Sequence, residues 1–403
     1  MGVFAGPEVP ESGLVLAIDA GNTKSYDKYE NLYTSSEVFS GYWSTDGVTA
    51  LTTNQGTSPN NDNTANKMVG PYIYRYFTSS GSPVASGTTV TASVFVKNNG
   101  ANTFNFVIYC LSASAFSSSV NLTTGTISGT GASIQAYPNG WYRVSLTSTI
   151  NSASCYLAIE GLGGSGSSQS LYIWGAQVER SSTVSDYYST TASTKTRGTT
   201  CTDLSGYVNT GTFTNTPTYD SGNGSSFVFN GTSSYISVSN STSVNPGTGS
   251  FSIVAWVNSD PSNGGDGWDL WVAKRAPANG SNGYYLGVNN PAGAKFMLGN
   301  DANARTDTGY LTYTYNTWAM FTAILDRTAN TQTIIKNNNT ESSSVTPSGG
   351  NYSNTGALSI GGDIGIGAYY VNGKIANVQM YNRALSTSEV SQIFNASRGR
   401  FGI

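Results

Sequence analysis

Asn263-Gly-Gly-Asp-Gly-Trp-Asp-Leu-Trp271 gathers two tryptophans and two carboxylates in one short stretch. Aromatic faces suit the C–H groups of a pyranose, and carboxylates suit its hydroxyls. Asp266, Trp268, Asp269 and Trp271, joined by Tyr284 from the strand that follows, therefore form a candidate glycan-binding set. Packing or a subunit interface is the competing reading of the two indoles. Catalytic chemistry has less to work with. The 403 residues include no histidine, which removes Ser-His-Asp triads, Cys-His pairs, H-E-x-x-H zinc sites and histidine general bases. The eight glutamates (Glu8, Glu11, Glu30, Glu37, Glu160, Glu179, Glu341 and Glu389) stand isolated, and no E-x-D-x-E strand pairs carboxylates for glycoside hydrolysis. Binding or assembly without a cofactor is the expectation, and an enzyme is not.

Cys110, Cys155 and Cys201 are odd in number, far apart and without a C-x-x-C pair. They read as buried free thiols, with neither a disulfide framework nor a zinc site. The N-terminus lacks a basic and apolar leader, and no apolar run reaches about 18 residues, so a protein made in the cytosol without membrane insertion is expected. A formal net charge of -3 leaves no basic footprint for nucleic acid.

The elements that must position these residues are strands. Only 10% of the chain is charged, against about 25% in an ordinary soluble domain. With 47 Gly and 26 Tyr, the composition favours strands and turns over helix. The length suggests two domains. One series of short apolar segments runs through Val90–Lys97, Phe104–Tyr109, Trp141–Leu146, Ser154–Ile159 and Leu171–Val178. A second runs through Phe227–Phe229, Tyr235–Val238, Phe251–Val257, Tyr284–Val288, Trp318–Leu325, Ala357–Ile360 and Lys374–Tyr381. Each series predicts a β-sandwich, because every strand needs a second sheet to cover one face. Trp141, Trp174, Trp256 and Trp318 fall inside these patterns and are expected in the cores. One helix is readable, where Ser386 and Glu389 form a capping box ahead of Val390, Ile393 and Phe394, with Gly399 as its stop.

Phe227-Val-Phe-Asn-Gly-Thr-Ser-Ser-Tyr-Ile236, Phe251 to Val257, and Gly373-Lys-Ile-Ala-Asn-Val-Gln-Met-Tyr-Asn-Arg-Ala-Leu-Ser386 with Glu389 resemble the concanavalin A-like, laminin-G-like jelly rolls. Such domains occur in tailed-phage structural proteins and in extracellular carbohydrate-binding proteins. Gly13 to Tyr26 is similar to the opening strand of the phage versions, which Thr202-Asp-Leu-Ser-Gly206 and Thr218 to Gly224 continue. The intervening text implies an insertion. Asn31 to Ser40 with Trp43, Asn139-Gly-Trp-Tyr-Arg143, and Leu171 to Glu179 with Tyr187 and Tyr188 resemble a carbohydrate-binding-module-like β-sandwich of phage proteins. The expected fold class is thus all-β. Residues 1–26 supply a strand of the jelly roll, 27–197 an inserted sandwich and 198–403 the rest of the jelly roll, with one short C-terminal helix.

The laminin-G resemblance often implies Ca²⁺, but this chain carries Asn230 where relatives carry Asp, and Ser233 and Ser234 follow, so the cluster has lost its charge. No metal is expected there, and Asp266 with Asp269 is the remaining option. The resemblances imply a non-enzymatic virion structural protein on the exterior of a phage particle, a capsid or tail decoration able to adhere to host glycans. The alternatives are a receptor-binding tail fibre or spike with dedicated polysaccharide recognition, and a lectin-like bacterial adhesin. The partners implied are other virion proteins, a second copy of the chain and host surface polysaccharide.

Overall fold

The structure is a computed structural model that describes residues 9–46, 49–77, 84–110, 114–152, 154–162, 169–222, 224–263, 267–276 and 282–403. It divides into two compact units, one formed by Met1–Lys28 with Gly198–Ile403 and the other by Tyr29–Arg197. The described residues are nearly all strand and turn, with a single α-helix, Thr387–Ser397, near the C-terminus. None of their helices is long and apolar enough to cross a membrane.

The first unit is a jelly roll of two eight-stranded sheets. In one sheet the strand Leu14–Asp19 pairs antiparallel with Asn372–Tyr381, so the N-terminal strand is held by the C-terminal one. Asn372–Tyr381 also pairs along its length with Phe251–Ser259. Phe251–Ser259 is apolar on both faces, because each face has something to cover it. Phe251, Ile253, Ala255 and Val257 enter the core between the sheets, whereas Val254 and Trp256 meet the C-terminal helix. That helix begins where the capping box places it: Ser386 Oγ accepts the Glu389 N–H, and Glu389 Oε2 accepts the Ser386 N–H. Val390, Ile393 and Phe394 are its buried face. The chain does not stop at Gly399, which lies inside a following 3₁₀ turn, Arg398–Phe401; Gly402 ends that turn in the left-handed region at φ 69°. Extension by this turn lets Phe401 stack on Trp256 at 4.2 Å between ring centroids.

Ser386→Ala should cost about 1 kcal/mol in chemical denaturation of the jelly roll. The Arg383 guanidinium, followed by the Ser386 contacts, holds the Glu389 carboxyl at about 2, below its ordinary 4.5. A depressed carboxyl stabilises above the unfolded value and loses that contribution as pH falls, so the difference between wild type and Glu389→Gln should close between pH 4.5 and 2. A constant difference across that window would exclude this role for Glu389.

The second unit is a sandwich of two six-stranded sheets around its own core. Thr89–Asn98 shows why it folds this way: Val90, Ala92, Val94 and Val96 alternate into the core, and Phe95 joins Trp141 and Trp174 in a cluster on the other face. Trp141, Trp174, Trp256 and Trp318 are all buried. The cysteine expectation needs correction. Cys155 and Cys110 face each other in register on neighbouring strands and form a disulfide, leaving Cys201 as the buried free thiol. Sequence spacing hid this pair, because antiparallel register brings together residues 45 apart.

Candidate functional site

Trp268–Arg275 is an interior strand of the second jelly-roll sheet, paired with Gly283–Asn289 on one side and Leu358–Ile360 on the other. Its side chains alternate, and a register shift between Leu270 and Val272 turns Trp271 and Val272 both inward. Trp268 and Trp271 consequently lie on opposite faces and cannot share a ligand.

Trp271 is fully buried, stacks on Phe321 at 4.8 Å and donates Nε1–H to Ser259 Oγ at 3.0 Å. Tyr284 is equally buried, and its hydroxyl donates to the Val244 carbonyl at 2.9 Å. Burial raises its pKa well above 10. Asp269 is also inaccessible and accepts the Asn372 N–H at 3.3 Å. These three residues serve the fold, so their expected contact with a glycan is withdrawn. Asp266 lies outside the described residues. Lys274 points inward too; its ammonium donates to Asn240 Oδ1, Asn354 O and Gly356 O, and burial pulls its pKa down to about 8.

Of the described members of the set, Trp268 alone reaches a surface cavity. Leu270, Arg275, Tyr285, Met297, Arg305 and Tyr369 line with it a hollow of about 100 Å³ on the outer face of the sheet. The same outward alternation that separates Trp268 from Trp271 brings Leu270 and Arg275 alongside it, and cross-strand pairing adds Tyr285 and Met297. Arg275 lies over the Tyr285 ring at 4.7 Å and bonds Asp363 Oδ2 through Nε at 2.5 Å. Burial raises the Asp363 carboxyl against the pull of Arg275. Arg305 is bidentate to Asp307, at 2.8 and 3.0 Å, and touches Met297 Sδ. Both guanidiniums are thus held in place by carboxylates that do not themselves line the cavity. An apolar floor, aromatic walls and fixed donors can accept a sugar ring edge-on. Period-two alternation from Trp268 could have found Leu270 in the sequence, but Tyr369 and Arg305 come together only through the fold.

Elsewhere the candidates resolve differently. Asn230 Oδ1 accepts the N–H groups of Thr232, Ser233 and Ser234, so this residue caps its own turn. Among the described residues no three Asp, Glu or Cys side chains gather as a metal cage. Two glutamates read as isolated do converge: Glu30 and Glu179 share Arg197, both at 2.8 Å. They are sealed from solvent and ion-paired, an arrangement that holds structure and reaches no substrate.

Residues 230–391 match the Concanavalin A-like lectin/glucanases superfamily. That concanavalin A-like span contains every residue lining the Trp268 cavity. Among solved structures, the chain is similar to the binding domain of Paraclostridial Mosquitocidal Protein 1, with 18% identity, a TM-score of 0.39 and 49% of each chain covered. It is similar to the Botulinum Neurotoxin serotype G binding domain, with 16% identity, a TM-score of 0.39 and 48% of each covered. It is also similar to the Ruminococcus gnavus IT-sialidase CBM40 bound to alpha2,3 sialyllactose, with 15% identity, a TM-score of 0.31, and 37% of this chain and 84% of that one covered. The chain spans about half the length of the two toxin binding domains. No curated protein sequence matches it.

Proposed function

We propose that the protein is a non-enzymatic carbohydrate-binding structural protein carried on the exterior of a phage particle, where it adheres to host surface glycan. The observation that carries the binding reading is the Trp268 cavity, with its aromatic walls and two anchored guanidiniums on an exposed face of a lectin-like jelly roll. The phage assignment rests on the sequence resemblances, chiefly the opening strand Gly13 to Tyr26 and the Gly373 to Glu389 ending. The Cys110–Cys155 disulfide supports an exterior location, since such bridges persist in oxidising surroundings. Other virion proteins and further copies of the chain are its partners in this reading. A sugar held by one indole and two donors should bind weakly and depend on that ring.

Trp268→Ala should lower signal on a host-polysaccharide array by about tenfold, as removal of a central aromatic anchor does. Trp271→Ala is the wrong control because that ring is in the core; Tyr207→Ala, at an exposed position away from the cavity, should leave the signal unchanged. Equal signal from wild type and Trp268→Ala would remove the site. Mass spectrometry of purified particles tests the virion assignment, and absence of the protein from them would sink it.

A further inference from the structure

The Tyr29–Arg197 unit carries an aromatic surface of its own. Tyr72–Tyr76, Cys155–Glu160 and Thr103–Cys110 are neighbouring strands in one sheet, with Cys155–Glu160 in the middle. Ile73, Leu157, Ile159, Phe106 and Ile108 enter the core, so the alternate residues take the outer face. Register arranges those in rows. Tyr76, Tyr156 and Tyr109 form the first, Tyr74, Ala158 and Val107 the second, and Tyr72, Glu160 and Asn105 the third.

The tyrosine rings are continuous. Tyr156 lies 5.1 Å from each of Tyr74, Tyr76 and Tyr109, stacked on the last, and Tyr72 lies 5.5 Å from Tyr74. Ala158 and Val107 point outward yet are fully buried, Ala158 within this rim of tyrosine rings. One phenol reaches the carboxylate: the Tyr109 hydroxyl donates to both oxygens of Glu160, at 3.1 and 3.0 Å. Burial, then the Tyr156 hydroxyl and the Glu160 charge, raises the Tyr72 phenol well above 10, so it stays a hydroxyl donor. The face extends about 13 Å along Tyr72–Tyr76 and about 10 Å across three strands, enough for a short run of sugar rings.

We propose that this tyrosine face is a second glycan-binding site, a platform for neutral polysaccharide chains. Ring faces receive sugar C–H groups, while the phenols and Glu160 receive hydroxyls. Glu160 is the charged member of the grid, and it opposes acidic polymers. The grid exposes no aliphatic side chain, and its carboxylate, in the end row and bonded by the Tyr109 phenol, is the kind of group that protein interface cores exclude. The site belongs to a different unit from the Trp268 cavity, and either can fail while the other holds.

The test is affinity electrophoresis of the full chain in gels containing hydroxyethylcellulose, galactomannan or dextran, with alginate as the acidic comparison. Retardation by at least one neutral polymer and none by alginate is expected. Tyr76→Ala and Tyr156→Ala should each weaken it about two- to tenfold, and Glu160→Gln about tenfold. The variants are compared in a Trp268→Ala background, so that any retardation read belongs to the platform and not to the cavity. Far- and near-ultraviolet circular dichroism identical to wild type establishes that the variants fold, and Tyr76→Phe, which keeps the ring, should retain most of the affinity. Retardation by none of the neutral polymers, or retardation undiminished in folded Tyr156→Ala, overturns the proposal. Self-association lost on tyrosine substitution, without polymer binding, overturns it in favour of an interface between copies.

Discussion

Arg197→Met is expected to lower the calorimetric transition of the Tyr29–Arg197 unit by about 10 °C, the consequence of about 3–5 kcal/mol lost when a buried ion pair is broken. Arg197 closes the unit. Its Nη1 meets Glu30 Oε2 at 2.8 Å and the Arg180 carbonyl at 2.6 Å, and its Nη2 meets Glu179 Oε2 at 2.8 Å. Glu30 lies at the entry of the unit, Glu179 ends the strand Ser170–Glu179, and a bridge between Asn31 and Lys195 joins entry to exit. Both carboxylates have no exposed surface, so neither can turn to water when Arg197 is removed. Glu30 keeps Arg180, at 2.5 Å, whereas Glu179 keeps hydrogen bonds from the neutral donors Gln177 and Ser185 and the more distant charge of Arg143.

Burial raises the Glu179 pKa, and Arg197 is the main influence lowering it. Without the guanidinium the folded-state value rises further. A raised carboxyl is most favourable below its unfolded pKa and loses that contribution as pH increases through the folded one. The deficit of Arg197→Met should therefore be smaller at pH 5 than at pH 8. Melting within about 1 °C of wild type at both values would show that the cluster holds nothing together.

The sandwich architecture was legible because burial imposes periodicity. Phe251–Ser259 reads as a near-continuous apolar run since the core takes one face and the C-terminal helix the other. Ser114–Asn121, one strand in from its sheet edge, is different: its sequence SAFSSSVN has too few apolar positions to announce itself. The candidate site was half legible for a related reason. Aromatic content marked the stretch around Trp268, but alternation should already have placed Trp268 and Trp271 on opposite faces, and the shift at Leu270 and Val272 made the inward side richer still. Convergence between distant strands was invisible. Tyr72, Tyr74 and Tyr76 alternate in plain sight, yet nothing in the text says that Tyr156 and Tyr109 will be their neighbours. Glu30 and Glu179 looked isolated for the same reason.

Cysteine is where register most altered the reading, and the expected result is again large. Cys110→Ser combined with Cys155→Ser should destabilise the Tyr29–Arg197 unit by about 4 kcal/mol, the loop-closure value for a bridge of this span. The bridge joins residues 45 apart, and the loop it closes contains Ala132–Tyr137 and Trp141–Thr149, which belong to the opposite sheet. It therefore ties one sheet to a segment that crosses to the other and returns. Reductant should lower the wild-type transition towards that of the double variant and leave the variant where it is. Thiol titration makes the pairing itself testable. Cys201 is buried, and burial pushes its thiol up to about 12, so native protein should react slowly if at all. Denatured, unreduced protein should then show one thiol, and reduced protein all three of its cysteines. Three thiols before reduction would overturn the disulfide, and with it the support that the bridge lends to an exterior location. One thiol would also bear on the tyrosine platform, because Tyr109 and Tyr156 are the residues next to the bridged cysteines. Their stacked pair sits on strands that the covalent link keeps in register, which limits what a bound glycan must order when it docks.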